Sequence, residues 1–392
     1  MKRITTKISP FIIPILVCIF NILILLFPLQ MIGAAREGLN LWFNQVAPSL
    51  LPFIIGANIL VGSGTVSFIG TLLEPIMMPL FGVRGAGGFA LITGMTSGYP
   101  MGAKITALLR ERKEISQVEA QRLIAFCNNA GPLFILGAVG VGMFNSVAVG
   151  YFIMLCHYGA AVVTGLIFKY YKKQSHQQKS PQQKNMLSKA YRNMRRAQQQ
   201  DGRTFGALLG DSIKSAMETI ALIGGFIILF CVLVEVTEIV NITSNQLPRG
   251  FLAGVLEVTN GAKILAGAEL SRLSVCLTIG IISFGGFSIH SQALTFIHKT
   301  DINAIIYVLG KLLHGLMAFV VGWVLFPLFS LGMATVGKEA HAFAPAERNF
   351  VHQLIFSTYL FFITTAILFI AVALITIIRK KHYHKGTTKS KW

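Results

Sequence analysis

The chain has 392 residues, of which 54% are hydrophobic and 12% charged; a soluble domain carries about 25% charged residues. That composition argues against a cytosolic enzyme, and its apolar richness argues against disorder. The net charge of +19 suggests nucleic acid until it is located. Residues 1–10 carry +3, residues 169–203 carry +9 and residues 379–392 carry +6, which leaves the rest of the chain almost neutral. Basic charge confined to two ends and one linker is the positive-inside pattern of membrane insertion, and no nucleic-acid partner is expected. The 38 glycines and 29 phenylalanines suit helices packed in lipid.

A crossing helix needs about 20 apolar residues. Eight stretches qualify in chain order: 11–28, 49–66, 131–144 (with help from 124–129), 147–168, 219–236, 250–270, 304–329 and 354–378. Segments 85–104 and 273–294 are apolar but interrupted by Gly, Ser, Pro and other polar residues, and read as re-entrant. The expected fold is therefore all-α and polytopic, with about eight spans and two broken segments. The first span follows a basic start without a small-residue cleavage site, so it reads as retained. Both termini, the 110–114 loop and the 169–203 linker are expected on the cytoplasmic side, with the loop near 332–346 outside. The linker, rich in Gln, Lys and Ser, reads as a solvated tether. Five cysteines lie singly within apolar runs and read as small hydrophobes.

The two halves resemble each other. Ala47-Pro-Ser-Leu-Leu-Pro-Phe-Ile-Ile-Gly56 aligns with Ala216-Met-Glu-Thr-Ile-Ala-Leu-Ile-Gly-Gly225, and Gly102-Ala-Lys104 recurs as Gly261-Ala-Lys263. The first copy starts outside and the second in the cytoplasm, so the units are expected to be inverted, as in many secondary transporters.

Two constellations could carry chemistry. Thr93-Gly-Met-Thr-Ser-Gly-Tyr-Pro-Met-Gly-Ala-Lys104 cannot hold a regular helix, and a break frees N–H groups that suit an anion. Thr96, Ser97, Gly98, Tyr99 and Lys104 are its candidate binding residues. Its counterpart, Leu256-Glu-Val-Thr-Asn-Gly-Ala-Lys263, offers Glu257, Thr259, Asn260 and Lys263. Glu257 reads either as a coupling site for a proton or sodium ion or as a packing ion pair with Lys263. The second pair is Asn128-Asn-Ala-Gly-Pro132 with Ser283-Phe-Gly-Gly-Phe-Ser-Ile-His-Ser-Gln292, contributing Asn128, Asn129, Ser288 and His290. His157 and His314 lie inside spans and read as packing residues, and Glu218 shares the ambiguity of Glu257. No second His or Cys stands at ligand spacing from His290, so no metal is expected. No phosphate-binding loop, HExxH, GxSxG or CxxC occurs. No catalytic residue or cofactor is expected, and transport would be driven by a gradient or run downhill.

Pro48-Ser-Leu-Leu-Pro-Phe53, Leu73-Glu-Pro75, Gly94-Met-Thr-Ser-Gly-Tyr-Pro-Met-Gly-Ala-Lys104, Glu119-Ala-Gln-Arg-Leu123 and Asn128-Asn-Ala-Gly-Pro-Leu-Phe-Ile-Leu-Gly-Ala-Val139 resemble the sporulation integral membrane protein family YlbJ. The resemblance implies two regions like the Gate, or nucleoside-recognition, domain, here 31–168 and 204–330. They would be flanked by a first span (1–30), an outer loop with the last span (331–378) and a basic tail (379–392). It further implies placement in the outer forespore membrane, a part in spore cortex formation and export of dipicolinic acid, a planar dianion. A non-transporting scaffold that recruits cortex-assembly proteins through the linker is the alternative. Beyond the bilayer and the small anion, a coupling ion and a homo-oligomeric state stay open.

Overall fold

The structure, a computed structural model, describes residues 11–172, 186–268 and 270–336. The expected last span at 354–378, the basic tail and most of the outer loop lie outside the described residues. All described regular elements are helices. α1 (Ile12–Leu26) meets α2 (Pro28–Leu41) at a bend of 104°. α2 runs on through a π-helical stretch, π1 (Trp42–Val46), into α3 (Ala47–Gly62), and an 83° bend leads to α4 (Thr65–Phe81). α5 (Ala86–Ser97), α6 (Met101–Glu111), α7 (Gln117–Cys127), π2 (Leu133–Met143, also π-helical) and α8 (Val147–Phe168) complete the first half. The second half holds α9 (Met186–Asp201), α10 (Phe205–Ile239), α11 (Gln246–Leu256), α12 (Val258–Gly267), α13 (Arg272–Phe284), α14 (Gly286–Ile297) and α15 (Ala304–Val336). The chain is a polytopic all-α membrane protein.

Two long helical rods form the spine. α10 has 35 residues, about 50 Å at 1.5 Å per residue and more than the hydrocarbon core needs. α2–π1–α3 runs antiparallel beside it. Gly38 abuts Cys231, the Trp42 indole N–H donates to Ile220 O at 2.8 Å, and the Asn58 amide donates to Ser212 O at 3.2 Å. Trp42 fits because Gly224 has no side chain; a Cβ there would stand 2.7 Å from the indole.

Each half then folds one helical hairpin against one broken span. α5 and α6 turn back on each other at Gly98–Pro100, which bears out the expectation for 85–104. The Cys127 carbonyl, at the end of α7, enters the hairpin between Gly94 and Gly102, where a Cβ would lie 1.9 and 2.1 Å from it. In the second half, α11 and α12 pack so closely that a Cβ on Gly261 would lie 2.1 Å from Gly254 Cα. The expected crossing span 250–270 is therefore a hairpin. It breaks at Glu257, which is extended (φ −139°, ψ 117°) and caps α12 with its own carboxylate.

Conversely, 273–294 is not re-entrant. α13 and α14 run on as one apolar segment, Arg272–Ile297, kinked at Gly285. Gly285 sits at φ +98°, a left-handed turn that glycine takes without cost. Gly286 follows at φ +68°, and the two left-handed residues together shift the axis without reversing it. Among the described residues four helices are long and apolar enough to cross a membrane, or up to six if each bent pair is one span, and π2 over the expected span 131–144 is a shorter apolar helix.

The hairpins enter from opposite ends. At the linker end, Arg110 grips Asp301 through two bonds of 2.8 Å, and Arg112 approaches Asp201 at 3.8 Å. The Arg110 contact holds the Asp301 carboxyl below the usual carboxylate range. The open ends of α5–α6 lie here. At the far end, where α10 terminates, Arg249 of α11 pairs with Glu238 at 2.6 Å. The two copies of Gly-Ala-Lys thus run in opposite senses, each in the second helix of its hairpin, with Lys104 in the first turn of α6 and Lys263 in the second turn of α12.

The linker departs from the solvated tether expected of it. α9 docks on α4: Asn193 donates to Thr71 Oγ1 at 3.0 Å and Gln198 to Ser63 O at 2.9 Å. Ala190, Asn193, Met194, Ala197 and Gln198 form a buried-to-half-buried stripe at helical spacing, while Arg192, Arg195 and Arg196 stay exposed. The stripe lies opposite the arginines, so α9 is amphipathic and packs by its less polar face.

Two expectations follow. Gly261→Leu drives a side chain into the Gly254 backbone and lowers stability by about 1–3 kcal/mol; Gly210→Ala, with nothing within 4 Å, is neutral. Denaturant titration in detergent reads both. Gln199→Cys is labelled by impermeant reagent from the cytoplasmic side and Ser244→Cys from the other, as the basic residues dictate.

Candidate functional site

Breaks at membrane depth leave backbone groups that only protein can answer. In the first half the tip Gly98–Pro100 lies against the break Asn128–Pro132, with a Cβ on Gly98 falling 2.8 Å from Gly131 N. In the second, Gly286 abuts the carbonyls that close α11, with Gly254 O 2.9 Å from its notional Cβ. α8 and α15 supply the side chains that tie these breaks together.

Asn128 is fully buried at the centre. Its Oδ1 accepts from Ala103 N at 3.4 Å, its Nδ2 donates to Tyr307 OH at 3.2 Å, and its backbone O accepts from Lys311 Nζ at 2.8 Å. Lys311 also donates to His314 Nδ1 at 2.9 Å. His314 Nε2 donates to His157 O at 3.0 Å, which fixes its tautomer and leaves Nδ1 free to accept from the lysine. His157 Nε2 accepts from Ala130 N at 3.1 Å, so its Nδ1–H donates to Ser283 Oγ at 2.7 Å. Tyr158 OH stands 2.9 Å from both Met95 O and Ala130 O, pinning the first hairpin to the first break. One hydrogen-bonded chain thus runs from hairpin α5–α6 to α13, through α7, α15 and α8.

Lys311 and His314 are 0% exposed, and among the described residues no carboxylate pairs with the lysine. Four buried polar atoms around this chain have no partner: Tyr99 OH, Asn129 Oδ1, His290 Nε2 and Gln292 Oε1. His290 reaches the network through Nδ1, 3.2 Å from Tyr307 OH, and Tyr99 lies within electrostatic reach of Tyr307, Tyr158 and Glu257. Orphaned polar atoms are rare in native interiors, and each calls for a partner such as a water, an ion or a polar solute. Donors and acceptors from three elements offer a polar solute several contacts at once.

The structure sorts the residues singled out from sequence. Tyr99, Asn128, Asn129 and His290 come together here, with Gly98 at φ +86° making the tip. Ser97 is buried beside that tip, whereas Thr96 spends its hydroxyl on Ile92 O at 2.9 Å. Ser288 is buried and accepts from Gln292 at 3.4 Å. Glu257 caps α12, accepting from Thr259 N at 3.1 Å and Asn260 N at 2.8 Å, so the expected ion pair with Lys263 does not form. Asn260 turns to Cys231 Sγ at 3.4 Å. Lys104 and Lys263 do not share a pocket: Lys263 is exposed, and Lys104 donates to Thr219 at 2.9 Å and Ser215 at 3.4 Å on α10. His157 and His314 are satisfied, as expected of packing residues, but by the central network itself.

Sequence reasoning passed over Lys311 and Tyr307. Their signal was present: Tyr307, Lys311 and His314 recur at one turn's spacing, and Lys311 is the single charge within 304–329.

A family profile described as Gate, nucleoside recognition, matches residues 43–147, from π1 through the first hairpin and the first break to the start of α8. The sporulation integral membrane protein YlbJ of Bacillus subtilis (strain 168) is 38% identical over 307 residues, 73% of this chain and 75% of the relative. No solved structure matches the chain.

Lys311→Met leaves Asn128 O and His314 Nδ1 without a donor, at about 1–3 kcal/mol for each unsatisfied group. A double-mutant cycle with His314→Leu, read by denaturant titration, should give a coupling of about 0.5–3 kcal/mol. Additive effects would mean that the two side chains act separately.

Proposed function

Since this chain belongs to the YlbJ family of sporulation integral membrane proteins, we propose that it is a transporter that exports a small anionic metabolite, dipicolinic acid, from the mother cell across the outer forespore membrane. The observation that carries this reading is the meeting of two oppositely entering hairpins and two broken spans around a buried polar chain with four unpartnered atoms. Packing alone has no use for such atoms; a solute passing between two inverted halves does. A planar dicarboxylate finds donors in Tyr99 OH and His290 Nε2 and an uncompensated cation in Lys311. No nucleotide-hydrolysing motif is present, so export runs on a gradient or downhill, and the chain performs no covalent chemistry. Its part in cortex formation follows from loading the spore with the exported compound.

A deletion strain should still synthesise dipicolinic acid, accumulate it in the mother cell and form spores lacking it, as measured in the two cell fractions. Asn128→Ala and Lys311→Met should reproduce the loading defect with the protein correctly localised. Normal loading in the deletion strain would remove the transporter reading. If linker deletions do the damage while both core variants load normally, the protein is a scaffold.

A further inference from the structure

A solute bound at the broken helices needs a way in. A cavity of about 450 Å³ lies open at the linker end, between α3, α6, α10 and α14. That volume lies in the range that encloses a small metabolite. Lys104 of α6 stands on its wall, held by the Thr219 and Ser215 hydroxyls of α10, with Glu218 beside it. Lys104, Arg112, Arg203 and Lys299 line the space against Glu111, Asp211 and Glu218, leaving one positive charge in excess.

The α14 wall gives the direction. Thr295, Phe296 and Lys299 face the cavity, and the same helical face continues one turn deeper to Gln292 and a further turn to Ser288, next to the Gly285 kink. Gln292 is 1% exposed, its Oε1 has no partner and its Nε2 reaches only Ser288 Oγ at 3.4 Å. On α6 the turn beyond Lys104 is the hairpin tip that carries Tyr99. A cavity with an unpartnered buried amide one turn below its floor, leading to two chain breaks, is laid out as a passage.

We infer that this cavity is the linker-side entrance of the permeation path, that the path descends the α14 face from Lys299 past Gln292 to the Gly285 kink, and that Lys104 selects small organic anions at its mouth. This rests on the transporter reading and adds to it a route and a selecting residue. Neither Lys104 nor Gln292 belongs to the central hydrogen-bonded chain.

Thiol accessibility tests it in full-length protein in inside-out vesicles. The reagents are anionic and cationic methanethiosulfonates (sulfonatoethyl and trimethylammonioethyl), and the unsubstituted chain, with Cys18 exposed, sets the background. Thr295→Cys in the wall and Gln292→Cys one turn deeper should react with the anionic reagent at least about tenfold faster than Leu312→Cys on the exposed face of α15. Ser288→Cys, a swap of near-equal size, replaces Gln292→Cys if the latter does not fold. Adding Lys104→Gln to Thr295→Cys should slow the anionic reagent severalfold and leave the cationic one unchanged. If the deep cysteines react no faster than Leu312→Cys, the cavity is a blind surface pocket and the path is overturned, whatever the vesicles transport. An unchanged ratio of the two reagents on losing Lys104 overturns its selecting role. Reactive deep cysteines in vesicles that fail to move dipicolinate uphold the path and count against the proposed substrate instead.

Discussion

A helix interrupted inside a membrane must have its freed N–H and C=O groups answered by protein, because lipid offers no partner. The arrangement of this molecule follows from that requirement. The Cys127 carbonyl is received between two glycines of the facing hairpin, Ala130 N–H is taken by His157, and Asn128 O is taken by Lys311. Each answer draws in another element, so α8 and α15 are fixed in position by the needs of the first break. The hydrogen-bond chain is thus a structural consequence of the breaks before it is anything else. The four atoms it leaves over mark where structure alone stops accounting for the polarity.

Glycine placement enforces the same logic sterically. Gly94, Gly102, Gly254 and Gly261 are spread evenly between the two hairpins, and at each a Cβ would strike backbone or a packed side chain. The conformational freedom of glycine matters at Gly98 and Gly285, which take positive φ. At Gly94, Gly102, Gly254 and Gly261 small size is the useful property, since helix association in lipid rests on close backbone approach.

Much of this was readable in the chain. Charge location and apolar length yielded the all-α membrane fold, and Gly-Ala-Lys located the second helix of each hairpin. The exchange of roles between 250–270 and 273–294 was not readable, because both segments are apolar with polar residues and glycines scattered through them. What separates them is that the Glu257 carboxylate turns back to cap a new helix, while Gly285 only kinks an existing one. Composition does not encode that difference; side-chain direction does. The docking of α9 was legible in helical periodicity, with Ala190, Met194 and Ala197 on one face and Arg192, Arg195 and Arg196 on the other, but the Gln- and Lys-rich composition of the linker obscured it. Lys311 was legible in principle: a lone charge in a long span costs too much to be incidental.

Equivalent positions in the repeat have come to differ in use. Lys104 and Lys263 both lie in the second helix of a hairpin, yet one is held by hydroxyls against α10 and the other is exposed. The two tips differ as well, one lined by Tyr99 and the other closed by a capped carboxylate. The inverted halves therefore share a backbone plan, while the polar side chains gather on one side of it, from the Lys104 wall to the Asn128–Lys311 centre. The ammonium of Lys311 bears on the first break and, through His314 and His157, on Ser283 beside the second. The two breaks are thereby joined through bonds that are directional and buried, so the polar centre belongs to both halves at once.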